Sequence, residues 1–133
     1  MNKLYKIAED NNVDIDYIPL RELKAVSIPG SVALDPKKIK TQQEEREVLA
    51  HELGHQMRYA FYTFTDSDIT KARKEERADR WAVMQLIPPD ELRKAFSAGM
   101  VMIYQLAEYF DVSYDFMHTA IRIYRAKGEI DPS

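Results

Sequence analysis

Two of the chain's three histidines stand four residues apart, in the segment AHELGHQMRYAF that covers residues 50 to 61. On an α-helix this spacing puts His51 and His55 on one face, one turn apart, so both imidazoles can be offered to one ion. Glu52 sits next to His51 and is poorly placed as a third ligand. The segment must therefore be helical, and a second element must approach its ligand-bearing face. Gly54 points the same way. A glycine inside a helix costs on the order of 1 kcal/mol relative to alanine, so its place beside a ligand implies that a side chain there would collide with an edge strand or a substrate.

The flanking sequence supports a helix. Thr41 followed by Glu44 is a capping-box signal, which predicts a helix from about Gln42 to about Tyr59. The chain has no cysteine, so a metal ion must be held by His, Asp or Glu. Imidazole and carboxylate ligands suit zinc. A solvated helix that happens to hold two histidines is the bland reading, and the scarcity of histidine in the chain argues against it.

A catalytic site of this kind needs a third protein ligand and an open position. The next helix should be capped at Asp66, Ser67 or Asp68 and should stop near Leu86, before Pro88-Pro89. In its KARKEERADRWAVMQLIP stretch, Glu75, Ala78, Asp79 and Ala82 share one face, and the two alanines allow close packing. Glu75 is the expected third ligand. Asp79, one turn on, is expected to accept a hydrogen bond from a ligand histidine. Glu76 is the rival ligand, rotated about 100° off that face. Glu52 is the expected general base, within reach of a water on the ion. The opposing reading makes Glu75 and Asp79 solvated charges among Lys and Arg neighbours.

The 133 residues, 45% apolar and 31% charged, fit one globular domain with a real core. The net charge of −3, with both signs interspersed, argues against a general nucleic-acid binder. No stretch approaches the roughly 20 apolar residues of a membrane span. The opening MNKLYKIAEDNNVD lacks a signal-peptide core, so a cytoplasmic location is expected. A short helix is expected over residues 2 to 10. Alternation over 13 to 35, with a Pro29-Gly30 turn, predicts a small antiparallel sheet of about three strands. Further helices are expected from Pro89, over 100 to 110, and over 114 to 127. The class is α+β.

The segments GSVALDP, EEREVLAHELGH and EERADRWAVMQLIP together resemble the ImmA/IrrE family of small zinc peptidases. HELGH followed by Glu75-x-x-x-Asp79 is also similar to the gluzincin arrangement of thermolysin-like enzymes. The match covers residues 13 to 90 well and the C-terminal helices more loosely. Trp81 stands where Phe is usual, Asp79 where Asn is common, and Gln85 interrupts the usual apolar pair. The resemblance implies a minimal zincin-like domain over 1 to 133, with the zinc-site portion in 1 to 90 and a helical extension in 91 to 128. It also implies one Zn2+ and endopeptidase activity on a protein substrate. Members are often encoded by phages and mobile elements, and several are implicated in site-specific cleavage of a helix-turn-helix repressor.

A further donor for the tetrahedral oxyanion is expected. His118, Tyr114, Tyr59 and Tyr62 are candidates, and the sequence does not choose among them. The ordinary reading of His118 is a partly buried helical histidine. The C-terminal YQLAEYFDVSYDFMHTAIRIYRAKG is itself similar to a helix-turn-helix. Its second helix, however, offers Tyr114, Asp115, Met117 and His118 where a DNA-reading helix exposes Arg, Gln, Asn or Ser. Packing, or a substrate platform, is therefore expected in place of DNA binding. The alternative function is a transcription regulator or anti-repressor acting through these helices, with a non-catalytic metal site. Glu52 favours the enzyme, because an inert site has no use for a base.

Overall fold

The computed structural model describes residues 2–130. These residues fall into two compact units, which meet in sequence at Ala82 and Val83.

The first unit opens with helix α1 (Asn2–Asp10), which buries Leu4 and Ala8. Strands β1 (Asp14–Tyr17), β2 (Ala25–Ile28) and β3 (Ser31–Leu34) follow. Helix α2 (Gln42–Met57) comes next, then α3 (Asp68–Leu86), whose last residues enter the second unit. Val32 and Leu34 of β3 and Leu49, Ala50 and Leu53 of α2 are completely buried, so the sheet packs one face on the HELGH helix.

The α+β class and three strands agree with the sequence reading, but the pairing of β1 is a correction. The sheet order is β1-β3-β2. The β2–β3 hairpin is antiparallel and turns at Gly30, whose φ of 84° suits the third position of a type II turn. β1 instead pairs parallel to β3, with Ile15 opposite Val32, so the sheet is mixed. Alternation of side chains is the same in either direction and cannot encode this. The connection from β1 to β3 supplies the length that a parallel pair requires, and contacts to Asp35 and Lys38 fix its path. The Asp35 carboxylate accepts from Leu20 N–H at 2.9 Å, and Lys38 Nζ donates to the carbonyls of Leu20 and Arg21 at 2.6 and 2.7 Å. The bond from Leu20 N–H, joined by one from Lys37 N–H at 3.0 Å, also holds the Asp35 carboxyl below its usual pKa range.

Thr41 caps α2 as expected, accepting from Glu44 N–H at 3.0 Å. Glu44 completes only a variant of the capping box, accepting from Lys40 N–H at 2.7 Å and pairing with Lys24. Ser67 begins α3 by accepting from Thr70 N–H at 3.1 Å. The sheet is registered on α2 by Gln56. Its amide donates to Ser27 Oγ and the Ile28 carbonyl, both at 2.6 Å, and accepts from Gly30 N–H at 2.9 Å.

The second unit contains α4 (Pro89–Ser97), α5 (Ile103–Phe110) and α6 (Tyr114–Ala126). Its core includes Val83, Ile87, Leu92, Leu106, Met117 and Ile123, and Tyr124 donates to the buried Ile87 carbonyl at 2.6 Å. Pro89 begins α4 and Ser113 caps α6 by accepting from Phe116 N–H, both where the sequence places them.

Gly54 meets α3, rather than a strand or a substrate. A Cβ added there would lie 2.5 Å from the Ala78 carbonyl oxygen and 2.8 Å from its Cα. Both are backbone atoms and cannot swing aside. Gly54→Ala should therefore lower stability by about 1–3 kcal/mol through overpacking, against a helix-propensity gain of about 1 kcal/mol. Thermal denaturation reads the result, and an unchanged or raised midpoint would show that the helices are free to separate.

Candidate metal centre

Close approach of α2 and α3 at Gly54 and Ala78 brings the ligand faces of the two helices together. One ligand atom from each of His51, His55 and Glu75 lies within 4.8 Å of the others. The shortest contacts are tighter. His51 Nε2 stands 3.2 Å from His55 Nε2 and 2.8 Å from Glu75 Oε2, and His55 Nε2 stands 3.3 Å from Glu75 Oε1. Ligands about 2.0–2.1 Å from a tetrahedral ion are separated by roughly 3.3 Å, so the donor set fits a divalent cation with little movement.

Each histidine has its other nitrogen held. His51 Nδ1 lies 2.7 Å from Asp79 Oδ1, and His55 Nδ1 lies 2.6 Å from the Ala60 carbonyl oxygen. Protonated Nδ1 atoms facing these acceptors leave both Nε2 lone pairs for the ion. The Ala60 carbonyl arrives there through the end of α2. Ala60 N–H donates to the His55 carbonyl at 2.8 Å and Tyr59 N–H to that of Gln56 at 3.2 Å, a Schellman turn with Tyr59 left-handed at φ 48°. His55 is thus fixed by the turn that terminates its own helix, a contact the spacing of HELGH does not announce.

His51, Glu52, His55, Ala60 and Glu75 line an open cleft of about 310 Å³. Leu23, Ala25, Val26 and Ser27 form its sheet-side wall, and Phe61 and Tyr62 close another side. β2 is an edge strand, and Ser27 Oγ donates to the Glu52 carbonyl at 3.2 Å, tying that strand to the helix turn bearing the acid. Tyr62 donates to Glu75 Oε1 at 2.7 Å. Of the four tyrosine and histidine candidates for an oxyanion donor, Tyr62 lines this cleft. Tyr114 and His118 belong to the second unit, where His118 lines a separate cavity with Phe96, Leu106 and Ile121. Glu76 lies within reach of Arg80 at 3.4 Å, and it is Glu75 that joins the histidines.

The electrostatics follow from this packing. Burial raises the pKa of Glu52, with the neighbouring histidines pulling the other way. For His51, burial opposes the charge, but hydrogen bonds to Asp79 and Glu75 more than offset it and raise the pKa to about 10. Burial likewise opposes protonation of His55, and Glu75 and the Ala60 carbonyl outweigh it. Hydrogen bonds from His51 and His55 push Glu75 far below the usual carboxylate range. The Tyr62 phenol is pushed up to about 12, first by its bond to Glu75 and then by burial. His51, His55 and Glu75 thus form one hydrogen-bonded cluster.

Two helices bearing a convergent His, His and Glu set, with a half-buried acid next to His51, present a site able to hold a metal ion. The chain belongs to the IrrE N-terminal-like domain family of peptidases (M78), which matches residues 9–122. No curated protein matches the chain. The family agrees with the ImmA/IrrE resemblance read from the sequence. No described helix is long and apolar enough to cross a membrane.

Two measurements check the centre. Glu75→Gln should lose bound metal and Glu76→Gln should keep it, as metal analysis of the purified proteins would show; the reverse pattern would transfer the ligand role to Glu76. The second concerns pH. His51 has a folded pKa near 10 against 6.5 unfolded, so its charge stabilises the metal-free fold fully below pH 6.5, and this contribution is lost as pH rises through 10. The melting temperature of chelated protein should therefore fall between pH 7 and 10, more steeply than in His51→Gln. Equal slopes would contradict the paired imidazolium.

Proposed function

We propose that the protein is a zinc-dependent endopeptidase in which His51, His55 and Glu75 hold one Zn2+ and Glu52 is the general base. The observation that carries this reading is the convergence of three ligand atoms beside a half-buried carboxylate in a cleft whose wall is an edge strand. Zinc held there would supply Lewis acidity toward water and the scissile carbonyl. Asp79 and the Ala60 carbonyl orient the two imidazoles. Glu52, whose raised pKa makes it a better proton acceptor than an exposed carboxylate, takes a proton from the attacking water and returns it to the leaving amine. Tyr62 keeps its proton at all physiological pH values and stands at the cleft wall. We assign it the role of oxyanion donor in place of Tyr114 or His118, its hydroxyl turning from Glu75 to the developing oxyanion.

An extended peptide can add to the free edge of β2 by backbone hydrogen bonding, with alternate side chains entering the cleft. The family resemblance supports a protein substrate of the helix-turn-helix repressor type in the cytoplasm, within a phage or mobile-element circuit. The enzyme and its rival, a regulator with an inert metal site, part at Glu52. Incubated with the repressor encoded beside it, the protein should yield discrete fragments by mass spectrometry. Glu52→Gln should retain zinc yet lower kcat/KM by about 10²–10⁴. Cleavage surviving that substitution would refute the proposed base, and tight repressor binding without cleavage would establish the regulator.

A further inference from the structure

Beyond the metal centre, the segment that follows α2 presents aromatic side chains to water in a way the fold does not need. Tyr59 is 71% exposed and Phe64 is 90% exposed. Phe61, which lines the metal cleft, stacks edge-on against Tyr59 with ring centres 5.1 Å apart and planes at 89°. Single exposed apolar residues are ordinary. Here four aromatics, Tyr59, Phe61, Tyr62 and Phe64, occur within six positions, two of them lining the cleft.

Two features show that this presentation is built. The first is the backbone of Tyr59. Its φ of 48° is left-handed, where a side chain costs roughly 1–2 kcal/mol and where glycine is the usual residue at the end of a helix. The Schellman turn needs the conformation, not the phenol. A largely exposed ring recovers little of that cost by burial. The second feature is the turn that carries Phe64. Thr63 N–H donates to the Asp66 carboxylate at 2.9 Å and Asp66 N–H donates to the Thr63 carbonyl at 3.0 Å. Thr63 and Thr65 hydroxyls meet at 2.8 Å, and Lys71 Nζ donates to the Phe64 carbonyl at 3.0 Å. The backbone around an exposed phenylalanine is thus pinned on both sides. A pre-organised aromatic surface loses little entropy on binding, which is how rigid anchors gain affinity.

We propose that Tyr59, Phe61 and Phe64 form a docking surface for the protein substrate. It takes a stretch rich in large aliphatic or aromatic side chains that continues beyond the residues held in the cleft. Phe61 joins Tyr59 to the cleft and Phe64 follows three residues on, so one extended chain can reach from the cleft to both. The inference rests on the peptidase reading for the identity of its occupant and deepens it, because it makes the enzyme selective for unfolded or exposed apolar segments.

The test uses the full-length, zinc-loaded Glu52→Gln protein and fluorescence anisotropy. The probes are two fluorescein-labelled peptide pools of equal length, one with Leu, Ile and Phe at alternate positions and the other with Ser, Thr and Asn. The apolar pool should bind about tenfold tighter than the polar one. Phe64→Ser and Tyr59→Asn, the latter tolerant of left-handed backbone, should each weaken apolar binding by about fivefold or more. Both should keep zinc content, and if Tyr59→Asn fails to fold, Phe64→Ser carries the test alone. Equal affinity of Phe64→Ser and its parent for the apolar pool would overturn the proposal, as would a parent that binds both pools alike. Hydrolysis of unfolded casein by the Glu52-intact protein is scored separately. Its absence, alongside aromatic-dependent binding, sinks the peptidase reading and leaves the docking surface standing. Hydrolysis with unchanged binding in Phe64→Ser does the reverse.

Discussion

The approach of α3 to α2 at Gly54 is the contact on which the centre depends. A glycine facing the backbone of Ala78 allows two helices to come closer than any side chain permits. That closeness puts Glu75, one turn before Ala78, at hydrogen-bond distance from both histidines, and Asp79, one residue after it, on His51. Ligand and orienting acid are carried on the same helix, so one packing contact sets both. A wider spacing would leave two imidazoles with no third partner.

The remaining parts are held by local devices at each end of α2. Thr41 fixes its start and the left-handed Tyr59 its end. The end matters chemically, because the same turn delivers the Ala60 carbonyl to His55. Gln56 then fastens the β2–β3 hairpin to the helix on the side away from α3. Sheet, ligand helix and second helix are thereby registered on one another, and the cleft lies where the edge strand faces the metal ligands. Hydrogen bonding to groups already in place costs less entropy than ordering them at the moment of reaction.

Much of this was legible in the residues. The four-residue spacing of the histidines, the Thr41 cap and the run of Glu75, Ala78, Asp79 and Ala82 on one face are properties of single helices, and helices are local. Strand existence was legible for the same reason. The direction of β1 was not, since it depends on the path of residues 18–24 and on Asp35 and Lys38, distant in sequence from the segment they pin. The partner of Gly54 is not legible, because sequence shows that space is needed without showing that a helix, and not a strand or a substrate, fills it. Tyr62 was one of four equivalent candidates until the fold brought its hydroxyl to Glu75. Its signal was present only as proximity to the end of the ligand helix, which Tyr59 shares.

X-ray absorption at the zinc edge of the zinc-loaded protein tests the central claim most directly, because it counts ligands without relying on turnover. Two imidazoles and a carboxylate with one open position predict a first shell of two histidine nitrogens, with the remaining scatterers oxygen at about 2.0–2.1 Å. His118 is the chain's only other histidine. A spectrum that requires a third imidazole would place it on the metal and contradict the assembly of the site by α2 and α3.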